Sequence, residues 1–108
     1  MPFAIILTAD AVRDLEELHQ YIALHDSPGK ADHVLERIEK AFESLSQFPE
    51  RGAYPKELLD LGIRDYREVL FKPYRMIYRV MGKTVYVFLI TDGRRDMQIL
   101  LQRRLLQA

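Results

Sequence analysis

Residues 74–80 read Tyr-Arg-Met-Ile-Tyr-Arg-Val, and this stretch decides the fold. Its period of two is that of a pleated strand with two chemically different faces. Tyr74, Met76, Tyr78 and Val80 fall on one side and predict a core, while Arg75, Ile77 and Arg79 fall on the other. Such a strand belongs in a sheet packed against helices on its apolar side, with a more open face opposite.

Working outward, Met81-Gly82-Lys83 is a turn, and Thr84–Thr91 is a second strand close enough to form a hairpin with the first. On the other side, Lys72-Pro73 separates the motif from a strand over Tyr66–Phe71. Asp92-Gly93 ends the strand region. Asp96 then caps a final helix whose apolar residues are Ile99, Leu100, Leu101, Leu105 and Leu106, with Arg103 and Arg104 near its negative end.

The N-terminal half supplies the helices. Phe3–Thr8 is an apolar run that predicts a buried strand. Thr8 is placed to cap a helix over 9–25, in which Val12, Leu15, Leu18 and Ile22 recur at helical spacing. Ser27-Pro28 starts a second helix at once, with a stripe running through Ala31, Val34, Ile38, Phe42 and Leu45 until Phe48-Pro49 ends it. Pro49, Gly52, Pro55 and Gly62 mark a loop with one helical turn at Glu57–Leu61. The order is β-α-α-β-β-β-α. It predicts one α+β domain over 1–108: a small, mainly antiparallel sheet with an N-terminal helical hairpin on one face.

Composition narrows the chemistry. The 108 residues contain no cysteine, which removes disulfides, thiolate catalysis and cysteine-held metals. No apolar run approaches the roughly 20 residues of a membrane span, and no signal-peptide layout opens the chain, so a cytoplasmic protein is expected. Net charge is zero, but residues 1–50 hold four cations against ten acids and residues 51–108 hold twelve against six. A basic C-terminal half suits an acidic partner or phosphates.

The candidate contact residues follow from the strand alternation. Arg64, Arg75, Arg79, Arg94 and Arg95 cluster on or near the open face, where guanidinium forks can grip carboxylates or phosphates. The competing arrangement pairs these arginines internally with Asp65, Glu68, Asp92 and Asp96. His19, His25 and His33 lie in the helices, away from the arginines and without metal-ligand spacing, so neither a metal nor a cofactor is expected. Tyr66, Tyr74, Tyr78 and Tyr86 could in principle serve RNA cleavage, but strand tyrosines ordinarily pack.

Taken together, Leu7-Thr8-Ala9-Asp10-Ala11, Phe48-Pro49-Glu50-Arg51-Gly52, Gly62-Ile63-Arg64, the 74–80 strand and Gly93-Arg94-Arg95-Asp96 resemble the ParE/RelE toxin superfamily, in its order and over nearly the whole chain. The resemblance implies a toxin encoded beside an antitoxin that binds and silences it in a hetero-oligomer. It leaves two activities open: inhibition of DNA gyrase, as in ParE-like members, or cleavage of messenger RNA on the ribosome, as in RelE-like members. A third outcome is a toxin fold that has lost its toxicity and persists as a partner of the antitoxin.

For a nuclease, the family pattern would place Arg64, Arg75 and Arg95 in the site. That pattern also has a histidine or tyrosine near the C-terminus, and none follows Tyr86 here. The ParE-like reading is therefore preferred. Leu100, Leu101, Arg103, Arg104 and Leu105 of the final helix are its antitoxin-binding candidates.

Overall fold

The protein, seen as a computed structural model, is described over residues 2–106. Its elements are β1 (Ala4–Leu7), α1 (Ala9–His25), α2 (Pro28–Gln47), α3 (Lys56–Leu59), β2 (Arg67–Phe71), β3 (Tyr74–Met81), β4 (Thr84–Asp92) and α4 (Met97–Leu101). A π-helical turn over Gln102–Leu106 continues α4. This is the predicted α+β order, with α3 as the helical turn expected in the loop.

The sheet order is β1-β4-β3-β2, with β1 parallel to β4 and the other pairs antiparallel. β1 had been expected to be buried. It lies instead at the sheet edge, where Ile6 remains 45% exposed, because a four-residue strand pairing only with β4 has no neighbour on its outer side.

Local chemistry explains the helix boundaries. The Thr8 hydroxyl accepts from the Ala11 N–H at 3.1 Å, and Ser27 accepts from Lys30 in the same way, with Pro28 in the first turn of α2. The α1 and α2 stripes then pack on the sheet through Ile22, Val34, Ile38 and Leu45 against Met76, Tyr78, Val85 and Val87.

A bulge sets up the second layer. Ile77 pairs with Leu89 but Tyr78 pairs with Val87, leaving Phe88 as an extra residue in β4. Val85, Val87 and Ile90 stay with the helical hairpin, and Leu89 turns to the opposite face. There it joins Ile77, Leu58, Tyr66, Met97, Leu100 and Leu101 in a second cluster roofed by α3 and α4. The face opposite the hairpin is thus covered at one end and open at the other.

One loop is fixed from inside. The buried Tyr78 hydroxyl donates to the Pro49 carbonyl at 2.7 Å and accepts from the Gly52 N–H at 3.0 Å. A Cβ at position 52 would lie 2.5 Å from the Glu68 carbonyl oxygen and 2.6 Å from that hydroxyl, so only glycine fits. The Phe-Pro-Glu-Arg-Gly segment is thereby held onto β2, where Ala53 and Glu68 exchange hydrogen bonds of 3.2 and 2.8 Å.

Candidate functional site

The open end of the second sheet face centres on Arg75. Strand pleating puts its side chain beside Leu70 of β2, and α3 brings Glu57 over it. Its Nη1 and Nη2 donate to the two Glu57 carboxylate oxygens at 2.9 and 2.8 Å, and its Nε donates to Glu68 at 2.6 Å. All three side chains are about as buried as one another, Arg75 being 14% exposed. The expectation that this guanidinium stands open to solvent is corrected: two carboxylates use its fork from both edges. Each carboxylate is in turn held by its own element, so the pair geometry is rigid.

The electrostatics agree with the geometry. Hydrogen bonding from Arg75 holds the Glu57 carboxyl below its ordinary range, against the opposing effect of burial. The same bonds raise the Arg75 guanidinium still further above its usual value, so its positive charge is permanent. Gly93 completes the fit. Its N–H donates to the Pro73 carbonyl at 2.7 Å, and a Cβ there would stand 2.6 Å from Cδ of Arg75.

Two clefts flank this triad. One, of about 540 Å³, runs between α1 and the end of β4, past Tyr21, Tyr74, Thr91 and Arg95. The other, of about 480 Å³, lies above Arg75 between Lys56, Leu70, Lys72 and Arg94. They meet at Tyr74 and Arg94.

The remaining candidate arginines divide. Arg94 is exposed but forks onto Asp92 at 2.6–3.2 Å, and its hydrogen bonding lowers the Asp92 pKa. Arg79 lies 3.6 Å from Asp65 and over the Tyr66 ring. Arg95 is exposed; its guanidinium donates to the Thr91 hydroxyl at 3.3 Å and meets no carboxylate among the described residues. Arg64 is exposed and meets no carboxylate among the described residues. So Arg75, Arg94 and Arg95 come together around the clefts, whereas Arg64 and Arg79 stand apart from both linings.

The C-terminal candidates are placed differently from expectation. Leu100 and Leu101 are buried in the second core, Leu101 to 1% exposure, and Leu105 packs against it. Leu100 and Leu101 thus offer almost no free apolar surface in the folded chain, and Leu105 is half-buried. Arg104 turns inward to bind both Asp14 oxygens at 3.0 and 2.8 Å and the Phe88 carbonyl at 3.1 Å. Of the five, Arg103 alone is well exposed.

Three residues that hold the site together, Glu57, Glu68 and Asp14, were not among the candidates. Glu68 had been weighed, with Asp65, Asp92 and Asp96, as an internal partner of the arginines. Glu57 and Asp14 carry no local signal, because their partners lie 18 and 90 positions away.

Around Arg75 the tyrosine that lines both clefts is Tyr74, and burial raises its pKa. The Tyr78 hydroxyl is committed on the opposite side of the sheet, and burial raises its pKa. His19 meets Asp32 at 2.8 Å on the hairpin, His25 stacks on Tyr21, and His33 meets the edge of Phe71. Among the described residues no cluster of histidine and acidic side chains could hold a metal ion, and no helix is long and apolar enough to cross a membrane.

Comparison with known proteins places this arrangement. The chain is 30% identical over 93 residues to Toxin ParE3 of Caulobacter vibrioides, covering 86% of this chain and 89% of that one. Among solved structures, a chain of the chromosomal ParDE toxin–antitoxin system from P. aeruginosa superposes with a TM-score of 0.69 at 21% identity, over 83% of this chain and 95% of that one. A chain of the RelBE2 toxin–antitoxin complex of Mycobacterium tuberculosis gives 0.57 at 24%, over 85% and 92%. A mutant E. coli toxin RelE in the free state gives 0.64 at 15%, over 97% and 100%. These last three likenesses concern the fold. Residues 5–97 match the family described as ParE toxin of type II toxin-antitoxin system, parDE, and with the Caulobacter relative this shows that the chain belongs to the ParE toxin family.

Proposed function

We propose that this ParE-family chain is a cytoplasmic toxin that inhibits DNA gyrase by binding it, and that an antitoxin encoded beside it neutralises it in a hetero-oligomer. The observation that carries the choice of mechanism is the state of Arg75. A ribonuclease needs a cation free to meet the charge that develops on a phosphate, with a proton donor or acceptor in reach. Here Glu57 and Glu68 take one N–H from each of the three Arg75 nitrogens, and the group carries about one net negative charge, which repels a phosphate. Binding a protein needs neither group. Arg94 and Arg95 stand at the mouth of both or one of the clefts and are accessible to a macromolecule.

The ParDE and RelBE2 relatives were solved as a toxin–antitoxin system and complex, which supports an antitoxin partner for this chain too. The test is induced expression in bacteria. Filamentation and a DNA-damage response with translation continuing support the reading. Immediate arrest of translation with cut messenger RNA would replace it by the ribosome-dependent nuclease, and harmless overexpression by a toxin fold without toxicity.

A further inference from the structure

Past Ile77 and Leu89 the second sheet face continues toward the turn between β3 and β4, and the strand register lines up its side chains. Ile6 of β1 pairs with Tyr86 of β4, and Tyr86 pairs with Arg79 of β3, so these three form one row across three strands. Ala4, Thr84 and Met81 form the next row in the same way. Alternation keeps both rows opposite the hairpin, because their chain neighbours Ile5, Val80, Val85 and Val87 belong to the first core.

The fold leaves these rows unburied. Ile6 is 45% exposed, Met81 40% and the Arg79 side chain 38%, with Tyr86 half-buried between them. The first row runs into an aromatic wall: the Arg79 guanidinium lies 5.7 Å from the centre of the Tyr66 ring, and Tyr66 meets Phe88 edge-on at 5.6 Å. Tyrosine, methionine and arginine are the side chains that concentrate at the centres of protein–protein contacts.

The surrounding charge is positive. Arg79 lies 3.6 Å from Asp65, where two exposed groups hold each other weakly. Arg64, beside Asp65 in the chain, and Lys83 in the turn meet no carboxylate among the described residues. A matching surface therefore carries carboxylates around an apolar centre. Neither of the two clefts is lined by these residues, so what they offer is side chains on a broad pleated face. Such a face suits a folded partner, whereas an extended segment takes a groove or a strand edge.

We propose that the Ile6–Tyr86–Arg79 row, with Met81 beside it, is where this toxin grips its folded target, which presents there an apolar side chain among carboxylates. The inference rests on the proposed inhibition of gyrase and makes gyrase that target. It gives Arg79, which stands apart from the clefts, a contact role, and it adds three uncharged residues from two other strands and a turn.

The test is titration of purified gyrase with the labelled full chain, with the supercoiling assay beside it. Arg79→Glu should weaken binding and inhibition roughly tenfold at low salt, with the gap shrinking as salt is raised. Ile6→Ser should weaken both by about the same factor at every salt concentration. Lys30→Glu, an exposed reversal on α2, should leave both within about twofold. Circular dichroism checks that each variant folds; if Ile6→Ser does not, Met81→Ser beside the turn takes its place. Binding and inhibition that stay within about twofold in both folded variants overturn the inference alone. No binding and no inhibition by the unaltered chain overturn the gyrase reading together with it. Variants that spare gyrase but lose the antitoxin, a nucleic acid or a second copy of the chain identify another occupant, and overturn the inference as well.

Discussion

Asp14 and Arg104, 90 positions apart, meet through both carboxylate oxygens at 3.0 and 2.8 Å, and together they close an open strand edge. β1 pairs with β4 only as far as Val87, so the second half of β4 has no strand beside it. Asp14 takes the Ile90 N–H at 3.1 Å and Arg104 donates to the Phe88 carbonyl, supplying partners that a longer β1 would have given.

Arg104→Ala is therefore expected to cost about 1–3 kcal/mol, since it strips a partly buried carboxylate of its partner as well as a carbonyl of its donor. Urea unfolding measures the loss. Amide exchange at Ile90 should quicken in the same variant, and an unchanged midpoint would show that the clasp contributes nothing.

Glycine at 52 is required by the space around it. Gly52→Ala drives a methyl group into the Glu68 carbonyl and the Tyr78 hydroxyl and is expected to destabilise by roughly 2–4 kcal/mol. Gly29→Ala, at a helical position with nothing within 4 Å, should be neutral or stabilise by up to about 1 kcal/mol. Thermal melts of the two variants should move in opposite directions or differ plainly in size.

The Glu57–Arg75 pair makes stability depend on acid. Glu57 titrates below its unfolded value near 4.5, so its contribution is whole above that pH and is lost as pH falls through the lower folded value. The stability gap between the unaltered chain and Glu57→Gln should be constant near neutrality and narrow from about pH 4.5 downward. Denaturant midpoints between pH 7 and pH 3 test this; a gap that widens on acidification contradicts the assignment.

Arg75→Ala leaves Glu57 and Glu68 facing one another with their shared cation gone, and about 2–4 kcal/mol of stability should be lost. Any fall in toxicity should then track the folded fraction measured by circular dichroism. Full stability together with abolished toxicity would return Arg75 to the contact surface.

Much of the fold is legible in the sequence because its signals are local. The caps at Thr8 and Ser27, the stripe from Ala31 to Leu45 and the alternation at 74–80 each act within a few residues. What alternation cannot tell is the partner of a side chain once its face is known. Arg75 was placed on the correct face, yet whether it met solvent or Glu57 depended on where the 49–63 loop carried α3. The same limit applies to Leu100 and Leu101. An apolar residue on a short terminal helix reads alike whether it packs inward or waits for a partner, and here the bulge at Phe88, with no sequence mark of its own, turns Leu89 outward to meet them.

The most direct test of the account is a supercoiling assay with purified gyrase and the purified chain, run beside a cell-free translation reaction. Inhibited supercoiling, relieved by the cognate antitoxin, with translation and its messenger RNA intact, is the predicted result. Gyrase at full activity while ribosome-bound messenger RNA is cut would contradict it, because the Arg75 fork would then have to leave its two carboxylates to serve a phosphate.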